Sequence, residues 1–62
     1  MTGDEMIAIS EALRELYRER EILWIQFNSI TDPYDLDVII MRLRANEHAT
    51  QRLRGELHDS LV

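Results

Sequence analysis

A heptad pattern of apolar residues occupies the first half of this chain. Apolar side chains recur every three or four positions, at Met6, Ile9, Leu13, Leu16, Leu23, Phe27 and Ile30. One slot in this series is filled by a charged residue, Arg20. In an α-helix this spacing puts the apolar side chains on one stripe, which becomes stable when another helix covers it. The pattern therefore predicts a long amphipathic helix that packs against a second helix.

Capping signals mark the start of both predicted helices. Thr2 with Glu5 three residues later matches a capping box, and Asp32 followed by Pro33 combines an N-cap residue with the residue favoured at the first helical position. We expect helix one at about residues 3–29, a hinge at about 29–32 and helix two at about 33–59. A hinge this short forces the helices to be antiparallel. The predicted fold class is all-α, a two-helix antiparallel hairpin in a single domain.

Gly55 is the weak point of the second helix because glycine is a poor helix former. Leu53, Leu57 and Leu61 nevertheless keep a four-residue spacing across it. We therefore expect a frayed continuation of the helix beyond Gly55.

The small size of the chain predicts association. A chain of 62 residues buries a small fraction of its surface, and such chains usually need disulfides, a metal or a partner. There are no cysteines, which excludes disulfides and thiolate metal sites and fits a reducing cytoplasm. No apolar run is long enough to span a bilayer. We expect a cytoplasmic homodimer, without membrane contact, in which two hairpins form a four-helix bundle.

Apolar residues are concentrated on all sides of both helices next to the hinge. Because a hairpin buries only one face of each helix, it cannot cover Ile22, Ile25, Val38 and Met41 together. Folding at the hinge is expected to place Leu23 opposite Ile40. The predicted dimer or partner interface comprises Leu16, Ile22, Leu23, Trp24, Phe27, Leu36, Ile40 and Leu43. Two occupants remain open, a second copy of the chain or a different protein, and the abundance of symmetric dimers favours the second copy.

Arg20 is expected to act structurally, since an arginine stem can pack while its guanidinium pairs at the edge of the seam. The predicted partner is Glu47, in a pair that fixes the register of the helices; a buried anion or partner contact is the alternative. Asn46 and Thr50 also occupy heptad positions of helix two. Together these residues predict a polar layer in the middle of the bundle.

Arg44, His48 and Arg52 are spaced four residues apart and share one face of helix two. Such a stripe can contact nucleic-acid phosphates. The formal net charge of −5 opposes that function, and nearby Glu47 and Glu56 make a solvated mixed-charge face the simpler interpretation. Nucleic-acid binding is therefore the less favoured prediction.

Motifs for catalysis or metal binding are missing from the sequence. His48 and His58 are not at the i, i+4 spacing that lets two imidazoles share a metal. The two glycines stand alone, and in His58-Asp59-Ser60 consecutive helical side chains point apart. We expect no enzyme activity, no cofactor and no small-molecule substrate.

The hairpin resembles the short helical proteins of temperate phages and plasmids, of which the Rop-type RNA-organising proteins are the familiar case. The shared features are two helices, a tight acidic hinge at Thr31-Asp32-Pro33 and a heptad seam, and Glu56-Leu57-His58-Asp59 is similar to a Leu-His-Asp stretch in the Rop type. Rop-type proteins hold RNA on a partly basic helix one, whereas helix one here is acidic, so no RNA-binding residue carries over. The size also resembles small proteins of lambda-type early regions, which implies a phage-encoded modulator of host processes.

The proline-containing turn also resembles that of hairpin chaperones and needle subunits of type III secretion, which implies an obligate heteromer. Taken together, the residues predict a small homodimeric regulatory protein that binds another macromolecule, most readily a protein. The alternatives are an RNA- or DNA-binding regulator and a secretion-type chaperone.

Overall fold

The computed structural model describes residues 2–61, with side chains described for residues 2–59. Helix α1 runs over Gly3–Ser29 and helix α2 over Pro33–Leu61, with residues 30–32 between them. The molecule is 45 Å long, close to the roughly 40 Å expected for a single helix of this length. The two helices therefore lie side by side and antiparallel, and the predicted all-α hairpin is confirmed.

Both helices start at the predicted caps. The Thr2 hydroxyl oxygen accepts a hydrogen bond from the Glu5 amide at 3.2 Å. At α2, the Asp32 carboxylate accepts from the Tyr34 amide at 2.9 Å, and the Asp32 carbonyl accepts from the Leu36 amide at 3.0 Å. The two side-chain bonds satisfy amides of the first turn that have no partner within the helix, and the Asp32 carbonyl accepts the first regular bond of α2. The local sequence thus explains where each helix begins.

The end of α1 is set by the chain around the hinge. Ile30 adopts an extended conformation, with φ −92° and ψ 135°, while its amide still donates to the Gln26 carbonyl at 3.0 Å. Pro33 disfavours helical geometry in the residue before it. The chain therefore leaves the first helix and enters the second within three residues.

A heptad stripe on each helix forms the seam between them. In α1 the buried and half-buried side chains are Met6, Ile9, Leu13, Leu16, Arg20, Leu23 and Phe27, continued by Ile30 just beyond the helix. In α2 the matching stripe consists of Leu36, Ile39, Leu43, Asn46, Thr50, Leu53 and Leu57, with Val38 and Ala49 half-buried beside it. Alternating steps of three and four residues keep each stripe on one side of its helix. The predicted heptad seam is confirmed.

The apolar core is thin. Among the described residues the fully buried hydrophobic side chains are Ile9, Leu13, Leu23 and Ile39. Two helices have only one mutual face, so each contributes a single row of side chains to it. Several large apolar side chains of the hairpin therefore remain exposed.

The expectation that Ile40 lies in the seam opposite Leu23 differs from the burial found in α2. Ile39 is 4% exposed, whereas Ile40 is 39% exposed and lies outside the seam. The stripe of α2 passes through residues 36, 39 and 43, and residue 40 is one position further around the helix. Ile40 is therefore available for contacts outside the hairpin.

Helix α2 continues through Gly55 to Leu61, which confirms the predicted continuation, while its expected fraying stays a prediction. The side chain of Leu61, which was part of that prediction, lies outside the described residues. Within residues 2–61, neither helix contains a stretch sufficiently long and apolar to traverse a bilayer.

We expect Gly55→Ala to stabilise the protein by about 1 kcal/mol, because alanine is the better helix former. A Cβ at this position meets no atom within 4 Å. Thermal unfolding followed by circular dichroism should show an increase of about 4–8 °C in a domain of this size. Gly3→Ala, at the open first position of α1, is the matched control and should have a smaller effect. An unchanged or lower melting temperature for Gly55→Ala would contradict a continuous α2.

Candidate protein-interaction surface

A polar layer formed by Asn46, Arg20 and the Leu16 carbonyl crosses the middle of the seam. The side-chain amide nitrogen of Asn46 donates to the Leu16 carbonyl at 2.7 Å, and its oxygen accepts from the Arg20 Nε at 3.0 Å. Asn46 is 2% exposed, and its own carbonyl accepts from the Thr50 hydroxyl at 2.8 Å. Every buried side-chain polar atom among the described residues has a hydrogen-bond partner. The predicted polar layer is confirmed.

The partner of Arg20 differs from the predicted one. Its guanidinium hydrogen bonds to Asn46, and within the described chain no ion pair joins it to Glu47. Asn46 belongs to the heptad stripe of α2, while Glu47 is the next residue around the helix and is exposed. The Arg20 guanidinium also lies 5.8 Å from the ring centroid of Tyr17, within cation–π range. The heptad position of Asn46 was the sequence signal for this pairing.

One side of the hairpin carries a shallow apolar groove along the seam. We call this side the tryptophan flank, and the groove is lined by Trp24, Phe27, Ile40, Leu43, Arg44 and Glu47. The rings of Trp24 and Phe27 meet edge to face, with centroids 5.4 Å apart and planes at 75°. This packing orients the indole, yet 49% of Trp24 remains exposed. The flank therefore presents a positioned aromatic side chain to solvent, with one cation and one anion beside it.

The opposite side of the seam has a different character. We call it the charged flank, and its groove is lined by Glu15, Arg18, Glu19, Ile22, Leu23, Gln26 and Arg42. Arg18 and Glu15 form an exposed ion pair at 4.0 Å, a contact of little energetic value in water. Charged groups at this density stay hydrated readily. Covering the tryptophan flank therefore gains more free energy than covering the charged flank.

Further large apolar side chains project from the half of the hairpin nearest the hinge. Beyond the groove, the exposed set there is Ile22, Ile25, Tyr34 and Met41. Met41 is 70% exposed and Tyr34 76%. The expectation that one hairpin cannot cover all of Ile22, Ile25, Val38 and Met41 is confirmed, with Val38 alone half-buried.

The predicted interface residues fall into two groups. Leu23 is buried inside the hairpin, and Leu16, Phe27, Leu36 and Leu43 are half-buried along its seam. Ile22, Trp24 and Ile40 are exposed, with Ile22 on the charged flank and the other two on the tryptophan flank. Only the second group is accessible enough to dominate contacts with another chain. Helical periodicity alone did not separate the groups.

The arginine stripe lies on the surface as its spacing predicted. Arg44, His48 and Arg52 are all exposed. Arg44 also lines the apolar groove together with Glu47, so its charge has an acidic neighbour on the same wall. The stripe is thus divided between the tryptophan flank and the outer face of α2.

No group of three or more histidine or acidic side chains within the described part of the chain is arranged to hold a metal ion.

No protein-family model matches this sequence, and searches of curated proteins and of solved structures return no similar protein.

We expect Asn46→Ala to lower the free energy of unfolding by about 1–3 kcal/mol, because it leaves the Arg20 guanidinium without its buried acceptor. Urea unfolding at one fixed protein concentration measures the change. Gln51→Ala, at an exposed site of the same helix, should change stability little.

A double-mutant cycle with Arg20→Ala then isolates the contact between the two side chains. The coupling between Arg20 and Asn46 should exceed about 0.5 kcal/mol, as for side chains that share a hydrogen bond. A coupling near zero would contradict the polar layer in solution.

Proposed function

We propose that this chain is a small, non-enzymatic interaction protein that dimerises into a four-helix bundle and binds another protein. The observation that supports the proposal is the apolar surface around the hinge, where Trp24, Ile25 and Met41 are each about half exposed or more. Apolar patches of this kind on soluble proteins mark sites of association. This surface is extended and apolar, which suits contact with a macromolecule.

Dimerisation would cover only part of this apolar surface. Trp24 and Ile40 share one groove, so a second hairpin laid along the tryptophan flank covers them together. Ile25 and Met41 each lie one position away from a residue that lines this groove, further around their helices. We propose that they, with the charged residues around them, remain available for a partner protein.

A protein partner is favoured over nucleic acid by charge. The chain has a net charge of −5, and the first turn of α1 contains Asp4 and Glu5. A phosphate backbone would be repelled except at the arginine stripe, where Glu47 lies beside Arg44. RNA or DNA binding at low salt, lost in an Arg44→Glu, Arg52→Glu variant that still folds, would overturn this part of the proposal.

The resemblance to phage and plasmid hairpins leads to a further element of the proposal, a modulator of host processes encoded by a mobile element. Its support is the architecture that the resemblance leads us to expect, two capped helices joined by a short acidic hinge. The secretion-chaperone alternative differs in one testable respect, because such a chain needs a different protein to cover the same apolar surface.

We expect a solution mass of about twice the 7.4 kDa of one chain, constant over a wide concentration range. The physical reason is that pairing removes Trp24 and Ile40 from water. Light scattering coupled to size exclusion measures the mass, and circular dichroism checks that the chain is helical. A helical monomer at high concentration would reject the homodimer, and an aggregating monomer would favour the obligate heteromer.

Trp24→Ala should weaken dimerisation by about 2 kcal/mol or more, as expected for a tryptophan anchor within an interface. The measurement is the dissociation constant from analytical ultracentrifugation. Tyr34→Ala is the matched control, since Tyr34 is a large aromatic residue with 76% exposure that does not line the groove. Equal effects of the two substitutions would show that Trp24 is not an anchor.

A further inference from the structure

We infer that a second copy of this chain covers the tryptophan flank in a two-fold dimer whose two hinges lie at the same end of the bundle. This inference rests on the dimer proposed above and specifies its surface and orientation. In this arrangement the two-fold axis runs along the bundle, so that α1 of each subunit lies beside α2 of the other.

The levels of residues within the hairpin follow from its hydrogen bonds. Asn46 bonds to both Leu16 and Arg20, which places residue 18 of α1 level with residue 46 of α2. Since both helices rise equally per residue, Trp24 is level with Ile40. An axis along the bundle preserves these levels between subunits. Trp24 therefore faces Ile40 of the partner subunit, and the reciprocal contact forms on the other side of the axis.

The distribution of apolar residues along the flank selects this orientation. Steps of seven residues from Trp24 and Ile40 toward the termini reach Tyr17 and Glu47, and then the exposed Ser10 and Arg54. With hinges at opposite ends of a fully overlapped dimer, Trp24 and Ile40 would be buried against this polar end. With hinges at the same end, apolar surface covers apolar surface.

Charges at the edge of the flank are complementary in the same orientation. Glu21 is exposed and lies three residues before Trp24, on the same side of α1. Arg44 lines the groove from α2, and by the levels above it lies within one residue of Glu21. Each subunit thus places Glu21 beside Arg44 of the partner subunit, and the two-fold axis makes two such pairs. Opposite charges at the rim favour correct pairing and orientation.

The available area is adequate for a stable dimer. The hairpin measures 45 Å by 15 Å in the plane of its two helices. A flank of these dimensions is of the same order as the roughly 800 Å² per partner that standard interfaces bury. The charged flank has the same dimensions, but covering it would desolvate Glu15, Glu19 and Arg42.

Charge reversal tests the pairing. Glu21→Arg alone and Arg44→Glu alone each create two repulsive pairs and should raise the homodimer dissociation constant about tenfold. Mixed together, the two variants should form a heterodimer of near parental affinity, because both pairs become attractive. The matched controls Glu19→Arg and Arg42→Glu change the charge equally on the other flank. They should weaken the dimer less than about threefold and should show no preference for the heterodimer.

A distance measurement tests the orientation independently. The chain has no cysteine, so Thr31→Cys in the exposed hinge accepts a single spin label. Hinges at the same end place the two hinge backbones about one helix diameter apart, or up to the diagonal of the bundle, roughly 10–15 Å. Hinges at opposite ends place them about one hairpin length apart, 45 Å.

The outcomes separate this inference from the proposal on which it rests. A dimer with the long label separation, or one in which reversals on both flanks have equal effects, overturns the orientation and leaves the dimer intact. A monomeric parent protein overturns both. Heterodimer formation together with the short separation supports the inference.

Discussion

Asn46 joins the two helices through both polar ends of its side-chain amide, to the Leu16 carbonyl and to the Arg20 guanidinium. A sliding movement of one helix by a heptad would preserve most apolar contacts in the seam, since leucine and isoleucine recur along both stripes. It would, however, remove both bonds of a side chain that is 2% exposed, which is costly in an apolar environment. The polar layer therefore fixes the register on which every other contact depends.

The register determines the character of the two flanks. With Asn46 level with the segment between Leu16 and Arg20, Trp24 and Ile40 fall at the same height and line one groove. On the other side of the seam, the same register places Glu19 and Arg42 along one groove. In a hairpin with one apolar and one charged flank, association through the apolar flank is favoured. The proposed association follows from that asymmetry more than from the total content of apolar residues.

The thin core explains why such a surface can exist at all. Two helices share a single face, so residues such as Ile25 and Met41 have no partner within the hairpin however it is folded. In a larger domain a third element would cover them. Here these apolar side chains form part of the outer surface, and the proposed partner protein would cover them. The arginine stripe adds charge to the same surface but is divided between two faces of α2.

The helices, their caps and the seam follow from the amino-acid sequence alone. Local signals were sufficient, because Thr2, Asp32 and Pro33 act within one turn and the heptad spacing is a property of a single helix. Which side chains meet across the seam depends on how the two helices pack. Asn46 rather than Glu47 receives Arg20, and Ile39 rather than Ile40 is buried, each a displacement of one residue. One residue is a rotation of about 100° around a helix, so the heptad periodicity of α2 places Ile39 and Asn46 on its seam side, whereas the bonds that join them to α1 depend on how the two helices pack.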